Sequence, residues 1–281
     1  MTEAKGKEAI YSEIPERTWN WLGVNTATVP EEILSSIAPE KIITVPDGES
    51  AAMTIVYRDE PNAKIRAELG EGATLDLVKV QLAGDDVTRA DRVAVNCAKD
   101  ATIRYTAVEL GAKKTATKLN IELIGDKSKA DVAALFFGTK DQVIDMNYVI
   151  RHRGKNTDAT MMVDGTLDDH AEKIFRGTLD FVRGTEGSVG REKEQVILLS
   201  HDVRNRSVPL MLSGEADVDG HHAVSIGKMD ESKLFYLMSR GLDEAEAKKL
   251  VTMAAAAPVL ARIKNEKVTE EIENIIEGRL S

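Results

Sequence analysis

The sequence predicts a mainly β protein, a parallel β-helix or solenoid with short helices before it and a helical segment after it. Three observations carry this. First, from about Ile42 to Gly227 short β-type runs recur at about ten places, roughly 10–20 residues apart and separated by Gly, Asn, Asp and Lys, a spacing close to the all-β pattern. Second, no long helical pattern interrupts them, which disfavours a βαβ sheet. Third, the tract runs for about 185 residues without a boundary, which is large for one sandwich. Its inward positions are mostly Val, Ile, Leu and Ala, and aromatic residues make up only 4% of the chain. Stacked coils bury aliphatic ladders of that kind. Pattern alone leaves a sandwich and a barrel in play, and no strict sequence repeat is visible, so the solenoid would be irregular.

Taken in order, residues 1–40 read as an N-terminal helical arm. Ser12-Glu13-Ile14-Pro15-Glu16 has the N-cap and early-proline signals of a helix start. Trp19, Trp21 and Leu22 follow at helical-face spacing and are expected to pack on the main body, contact with a partner protein being the alternative. A second short helix is expected over Pro30–Ile37. Residues 41–229 form the β core. Lys118–Leu123, Arg92–Cys97 and Thr102–Ala107 alternate cleanly, and Phe175, Leu179 and Phe181 face away from Arg176, Thr178 and Asp180; period-two alternation sets one face in a core. The open ends of such a core need covering, and the flanking helices are the expected caps. Residues 230–281 read as three helices. Asp230 caps one carrying Leu234, Phe235 and Leu237, which stops at Gly241. Asp243 with Glu246 resembles a capping box for a helix that Pro258 kinks or ends. Thr269 starts the last, with Ile272, Ile275, Ile276 and Leu280 on one face.

Composition removes several function classes. The net charge of −10 argues against a general nucleic-acid binder. No apolar run approaches the ~18 residues that span a bilayer, and Met1–Glu8 has no apolar signal-peptide core, so the expected location is the cytoplasm, away from membranes. The single cysteine, Cys97, precludes an intrachain disulfide or a multi-cysteine site, leaving His, carboxylates or another chain's ligands for metal chemistry. Cys97 lies inward on an alternating strand and reads as a buried structural thiol.

The candidate chemistry centres on His221-His222, where the pattern changes from β to α. Glu215, Asp217, Asp219 and His201 are near in sequence, so a metal or acid/base cluster is conceivable. Adjacent strand residues point to opposite faces, however, which argues against both histidines holding one ion. Asp164, Asp168, Asp169 and His170 read as a solvated turn, and Arg151–Lys155 as a solvated basic loop.

Leu234-Phe235-Tyr236-Leu237-Met238-Ser239-Arg240-Gly241-Leu242, followed by Asp243-Glu-Ala-Glu-Ala247, resembles the C-terminal signature of the SufB/SufD family of the SUF iron–sulfur cluster assembly system. His222, Ile226-Gly227-Lys228 and Asp230-Glu231 resemble that family's histidine-bearing last strand. Phe175-Arg176-Gly177 and Val196–Leu199 with Asp202 resemble its preceding strands, and Pro15-Glu16 with Trp19 its N-terminal helix. The resemblance implies a right-handed parallel β-helix. It also implies a non-enzymatic scaffold or partner role, and helices that dock a SufC-type ABC ATPase through Leu234, Phe235, Tyr236, Met238, Arg240 and Leu242. A second subunit, a further copy or a SufB/SufD paralogue, would pair edge to edge near the C-terminal strands. The family histidine matches His222. The SufB cysteine position falls at Glu194, and a SufB glutamate after the histidine is Ala223. Any cofactor is therefore expected to be transient iron or a nascent iron–sulfur cluster at His222 and Glu194, with His221 as a further metal candidate. The chain is short for SufB or SufD, which fits a minimal homodimeric version. A SufD-like structural partner without a cluster site is the alternative, and a β-helix carbohydrate-active enzyme or acyltransferase a more distant one.

Overall fold

The structure, a computed structural model, describes residues 7–35, 40–60 and 62–280. Seven strand pairs wind into a parallel β-solenoid. They are β3/β4 (Glu40–Val45/Ser50–Tyr57), β5/β6 (Asn62–Leu69/Thr74–Gln81), β7/β8 (Thr88–Cys97/Thr102–Glu109), β9/β10 (Lys114–Leu123/Lys129–Gly138), β11/β12 (Val143–His152/Asp158–Leu167), β13/β14 (Glu172–Phe181/Ser188–Leu198) and β15/β16 (Arg204–Ser213/Val218–Lys228), after a ribbon of β1 (Glu8–Glu13) and β2 (Thr26–Pro30). Odd strands from β3 to β15 form one seven-stranded sheet and even strands from β4 to β16 the other, each strand pairing with its counterpart one coil away. The pairing is parallel and in register, so Thr102, Lys129 and Asp158 sit in one column. Equal register keeps inward residues stacked on inward residues. Ladders such as Val95–Ile121–Ile150–Leu179 and Ala107–Ala134–Val163 fill the space between the sheets.

The coils repeat in backbone conformation. The turn after each odd strand from β3 to β13 places a residue in the left-handed region at an equivalent position, namely Gly48, Gly72, Asp100, Lys127, Asn156 and Gly187 in succession. Each donates its N–H to the carbonyl of the next coil's turn, as in Gly72 N to Lys99 O and Lys127 N to Lys155 O, both 2.8 Å. The turn ladder thus continues the hydrogen bonding of the sheets around the corner.

Both flanks are covered. On the even sheet lie α3 (Glu244–Leu260) and α4 (Glu266–Arg279), numbered after α1 (Glu31–Ser35) and α2 (Glu231–Ser239). Val80, Val108, Leu135 and Phe137 of that sheet's outer face pack with Ala256, Val259, Ile272 and Ile276. The capping box is formed: Asp243 accepts from Glu246 N and Glu246 from Asp243 N. Pro258 lies in the last turn of α3, where a missing N–H costs least before the helix ends. The last helix starts at Glu266 rather than Thr269, because Asn265 supplies the cap.

The N-terminal arm departs from expectation. It is an antiparallel ribbon rather than a helical arm, with β1 on β2. Thr26-Ala27-Thr28-Val29 alternates, burying Ala27 and Val29, and this period-two pattern outweighs the helix-start signal at Ser12. Only a 3-10 turn, Asn20–Leu22, is helical between the two strands. The ribbon covers the outer face of the odd sheet. Val29 packs on Ala90 and Ala116, Asn147 donates to Glu13 O, and Arg176 donates to Val24 O and Thr26 O. Trp19 and Trp21 do not pack on the body. They are 72% and 77% exposed and stack on each other at 6.1 Å. The expected Pro30–Ile37 helix appears as α1, and its last two positions, like Met1–Gly6 of the signal-peptide reading, lie outside the described residues. Arm and tail cover the flanks of the solenoid, so the expectation that they cap its ends is not met: β16 is exposed along most of its length.

Candidate functional site at the open end

The last two coils change the chemistry of the interior. In β12 the inward residues are Met161 and Val163; the next coil puts Glu192 and Glu194 in the same two columns, and the coil after that His222 and Val224. Inward orientation follows from the flanking core residues: Val196 on β14 and Val218 on β16 share this parity and pack into the core. A Cβ on Gly177 would meet the Glu192 carboxyl at 2.1 Å, so the carboxyl occupies space that β13 leaves by carrying glycine. A Cβ on Gly220 would likewise meet the Met211 side chain. His222, two residues on, faces the same interior, stacked in register over Glu192 at the ~4.8 Å strand spacing.

A buried lysine organises the site. Lys173 on β13 is paired with Glu194 and donates to Asn205 Oδ1 at 3.0 Å and Ser207 Oγ at 3.1 Å. Its three N–H groups are thereby used, and both Lys173 and Glu194 are wholly buried. Glu192 has no such partner. Burial, reinforced by the Glu194 charge and only partly offset by Lys173, pushes its carboxyl up to about 8. Glu192 Oε1 and Glu194 Oε2 accept no hydrogen bond. Two carboxyl oxygens without hydrogen-bond partners, buried beneath an exposed imidazole, form a hard-donor patch that faces out of the end of the solenoid.

This differs in one residue from the sequence reading. Glu194 and His222 do lie at the same end, but Glu192, not Glu194, is the carboxylate in register with His222, and Glu194 is held by Lys173. Sequence reasoning missed Glu192 and Lys173. The signal was available: Glu192, Glu194 and Val196 share one parity, so a core valine two residues on marks the acids as inward. His221 points to the other face, 2.8 Å from Asp219, and the two histidines do not converge. The other candidates disperse. Glu215 accepts N–H groups of Gly184 and Ala216, His201 contacts Lys228 at 2.9 Å, and His170 lies 4.0 Å from Asp202. Among the described residues no group of three or more His, Cys, Asp or Glu is placed to hold a metal. Cys97 is buried far from this end, its thiol pushed up to about 12 by burial.

Two other sequence readings change. Asp164 is part of β12 and nearly buried rather than in a turn. Arg151 and His152 end β11, where Arg151 bridges Glu122 and Asp180 and His152 stacks on Phe181 inside the solenoid, so only residues 153–155 of the basic run form a turn, with Arg153 and Lys155 exposed.

Beside the open end, α2 is only loosely embedded. No residue of it is buried; Phe235 is 74% and Tyr236 55% exposed, with Met238 also exposed. Arg240 lies over the Tyr236 ring at 5.2 Å. Leu234 and Leu242 face inward and are half-buried. The sequence profile described as SUF system FeS cluster assembly, SufBD core domain, matches residues 29–255, a span that includes the solenoid, the open end and α2. The chain belongs to the SufBD core domain family. It is similar to an iron–sulfur cluster assembly protein SufD of Bacillus subtilis, 29% identical over 182 residues, which cover 65% of this chain and 42% of the relative. Iron–sulfur cluster assembly SufBD family proteins of Staphylococcus saprophyticus and Staphylococcus epidermidis are each 27% identical over 161 residues, 57% of this chain and 35% of theirs. The chain thus matches less than half the length of these curated SufBD relatives. Among the described residues no helix is long and apolar enough to cross a membrane.

Proposed function

We propose that this SufBD-family chain is a non-enzymatic subunit of the iron–sulfur assembly complex, acting in the cytoplasm as a scaffold or partner. Its open end pairs with a second β-helix subunit, and α2 docks a SufC-type ABC ATPase through Phe235, Tyr236, Met238 and Arg240, with Leu234 and Leu242 setting the helix against the body. The observation that carries the reading is the unpaired edge whose interior column ends in Glu192 and His222. Unpaired strand edges invite strand addition, and the residues brought to the seam are iron donors. Iron or a nascent cluster is the cargo. His222 and Glu192 contribute one imidazole and one carboxylate, and the remaining ligands come from the facing subunit. Closure of the ATPase dimer, transmitted through α2 beside the last coil, would strain the seam and expose the cargo.

A second reading is favoured by one observation. Glu194, at the position of the SufB cysteine in the resemblance, is locked to Lys173, and no thiolate is present at the end. Such a chain acts as a SufD-like structural partner that leaves the cluster to a cysteine-bearing subunit. Anaerobic reconstitution with iron and sulfide, alone and with the ATPase, separates the two. The scaffold reading expects cluster absorption and bound iron that are lost in His222→Ala and reduced in Glu192→Gln. A stable ATPase complex with no bound iron in either chain would sink it in favour of the structural one.

A further inference from the structure

The N-terminal ribbon crosses the odd sheet coil by coil. Val29 lies on β7 and β9, the carbonyls of Val24 and Thr26 are held by Arg176 of β13, and those of Leu22 and Gly23 by Arg206 of β15, each of the last two at 3.2 Å. The ribbon advances toward the open end as the chain approaches its tip, and the tip, Trp19–Leu22, is anchored on the last strand of the sheet. The stacked pair Trp19–Trp21 therefore sits at the rim of the open edge. An exposed pair of large aromatic rings costs the free chain solubility and gains it no packing. On the outer face of β15, C-terminal to Arg206, Val208, Leu210 and Leu212 form a half-exposed apolar stripe that no element among the described residues covers.

We propose that Trp19 and Trp21 cross the seam to a second copy of this chain and cover the Val208–Leu210–Leu212 stripe of that copy's β15. The inference rests on the reading that the open edge pairs with another β-helix, and it names the occupant and the contact. An edge that meets its own copy about a two-fold axis must pair antiparallel, and its contacts are reciprocal. Antiparallel pairing sets the N-terminal half of one β15, where the tip is anchored, opposite the C-terminal half of the other, where Leu210 and Leu212 lie. The two tips then clasp the seam from both sides, supplying rigid aromatic anchors to an interface whose strand edge alone is only two strands wide.

These are the only two tryptophans of the 281 residues, so their fluorescence reports the contact without labelling. The full-length protein is diluted from about 100 µM to about 0.1 µM and followed by sedimentation and tryptophan emission together. The expected result is a dimer whose emission lies at shorter wavelength than the monomer's. In the Trp19→Ser/Trp21→Ser double variant and in Leu210→Ser the dissociation constant is expected to rise by about tenfold or more. Both tryptophans are exposed, so the double variant leaves the fold intact, as circular dichroism checks. If the wild type dimerises and Val224→Lys on the edge prevents it, while emission is unchanged across the transition and the double variant dimerises normally, the tryptophan contact is wrong and edge pairing stands. If the wild type stays monomeric throughout, self-pairing fails and the tryptophan contact with it.

Discussion

Among the described residues, charged side chains cluster inside this solenoid in two places, and both are built around a lysine. Besides Lys173, Lys79 on β6 lies wholly buried, 2.5 Å from Asp91 on β7 and 2.5 Å from Glu109 on β8, and Arg89 also pairs with Asp91. Burial works against the Lys79 ammonium, but the Asp91 and Glu109 charges outweigh it and hold its pKa above the ordinary value. Asp91 is the hinge of the cluster: burial raises its pKa, and the two cations overcome that and keep it ionised. Removing one partner of a buried pair costs more than the pair contributes, because the remaining charge is stranded. Asp91→Ala should lower the unfolding free energy by about 3–5 kcal/mol, read from urea denaturation at pH 7. A cost below about 1 kcal/mol would mean that water reaches Lys79 and Arg89 in the native state.

At the scale of elements, α2 and the core strands respond oppositely to substitution. Phe235 and Tyr236 touch little of the chain, so Phe235→Ala and Tyr236→Ala should change stability by no more than about 0.5 kcal/mol, as ordinary surface substitutions do. If α2 is the ATPase-docking surface, each should nevertheless weaken the complex by at least tenfold, an effect of about 1.4 kcal/mol in affinity. Calorimetric titration of the purified ATPase into wild type and variants decides it; unchanged affinity would move the dock elsewhere. The same elements show why some of the molecule could be read from the sequence and some could not. Strands such as Lys118–Leu123 and helix caps such as Asp243/Glu246 are local patterns, and they stand where the residues put them. The coil repeat was invisible because it lies in backbone conformation. The left-handed turn position accepts glycine, Asp, Lys and Asn alike, so no residue recurs to mark it. The N-terminal arm was misread because its helix-start signal is local, whereas the sheet that receives Ala27 and Val29 as a ribbon lies far along the chain. Glu192 was overlooked because acids read as solvated until the parity of Val196 shows which way they point.

The whole molecule is a quasi-one-dimensional stack, so its stability is a sum over neighbouring coils and it opens first where the neighbour terms are weakest. The C-terminal coil is that place: Asn205, Ser207, Gly220 and His222 stand inside it in the columns that two coils earlier hold Ile144, Met146, Ala159 and Met161. Glu192 beneath it makes the weakness depend on pH. Its carboxyl, pushed up to about 8 by burial, stays protonated in the folded protein at a pH where the unfolded chain has already lost that proton. The folded state is therefore favoured at low pH, and the contribution is lost as pH rises through the folded value. His152 pulls the other way: burial lowers its pKa to about 4, so folding loses stability as pH falls below about 6.5 and an unfolded imidazole takes up a proton. The two slopes oppose each other between about pH 4.5 and 6.5, and above that range only Glu192 remains. From pH 6.5 to 8 the unfolding free energy should fall by up to about 2 kcal/mol, and Glu192→Gln should flatten that slope and, with His152 then unopposed, steepen the rise of stability with pH between about 4.5 and 6.5. Urea titrations of both proteins at these two pH values measure it, with hydrogen exchange reporting whether β15 and β16 open first. An equal slope in the variant would mean that Glu192 is ionised in the free chain, with water already inside the last coil. A steep slope that disappears when a second subunit is bound would mean that covering the end holds the coil shut, and would tie the weakest coil of the solenoid to the surface that assembly uses.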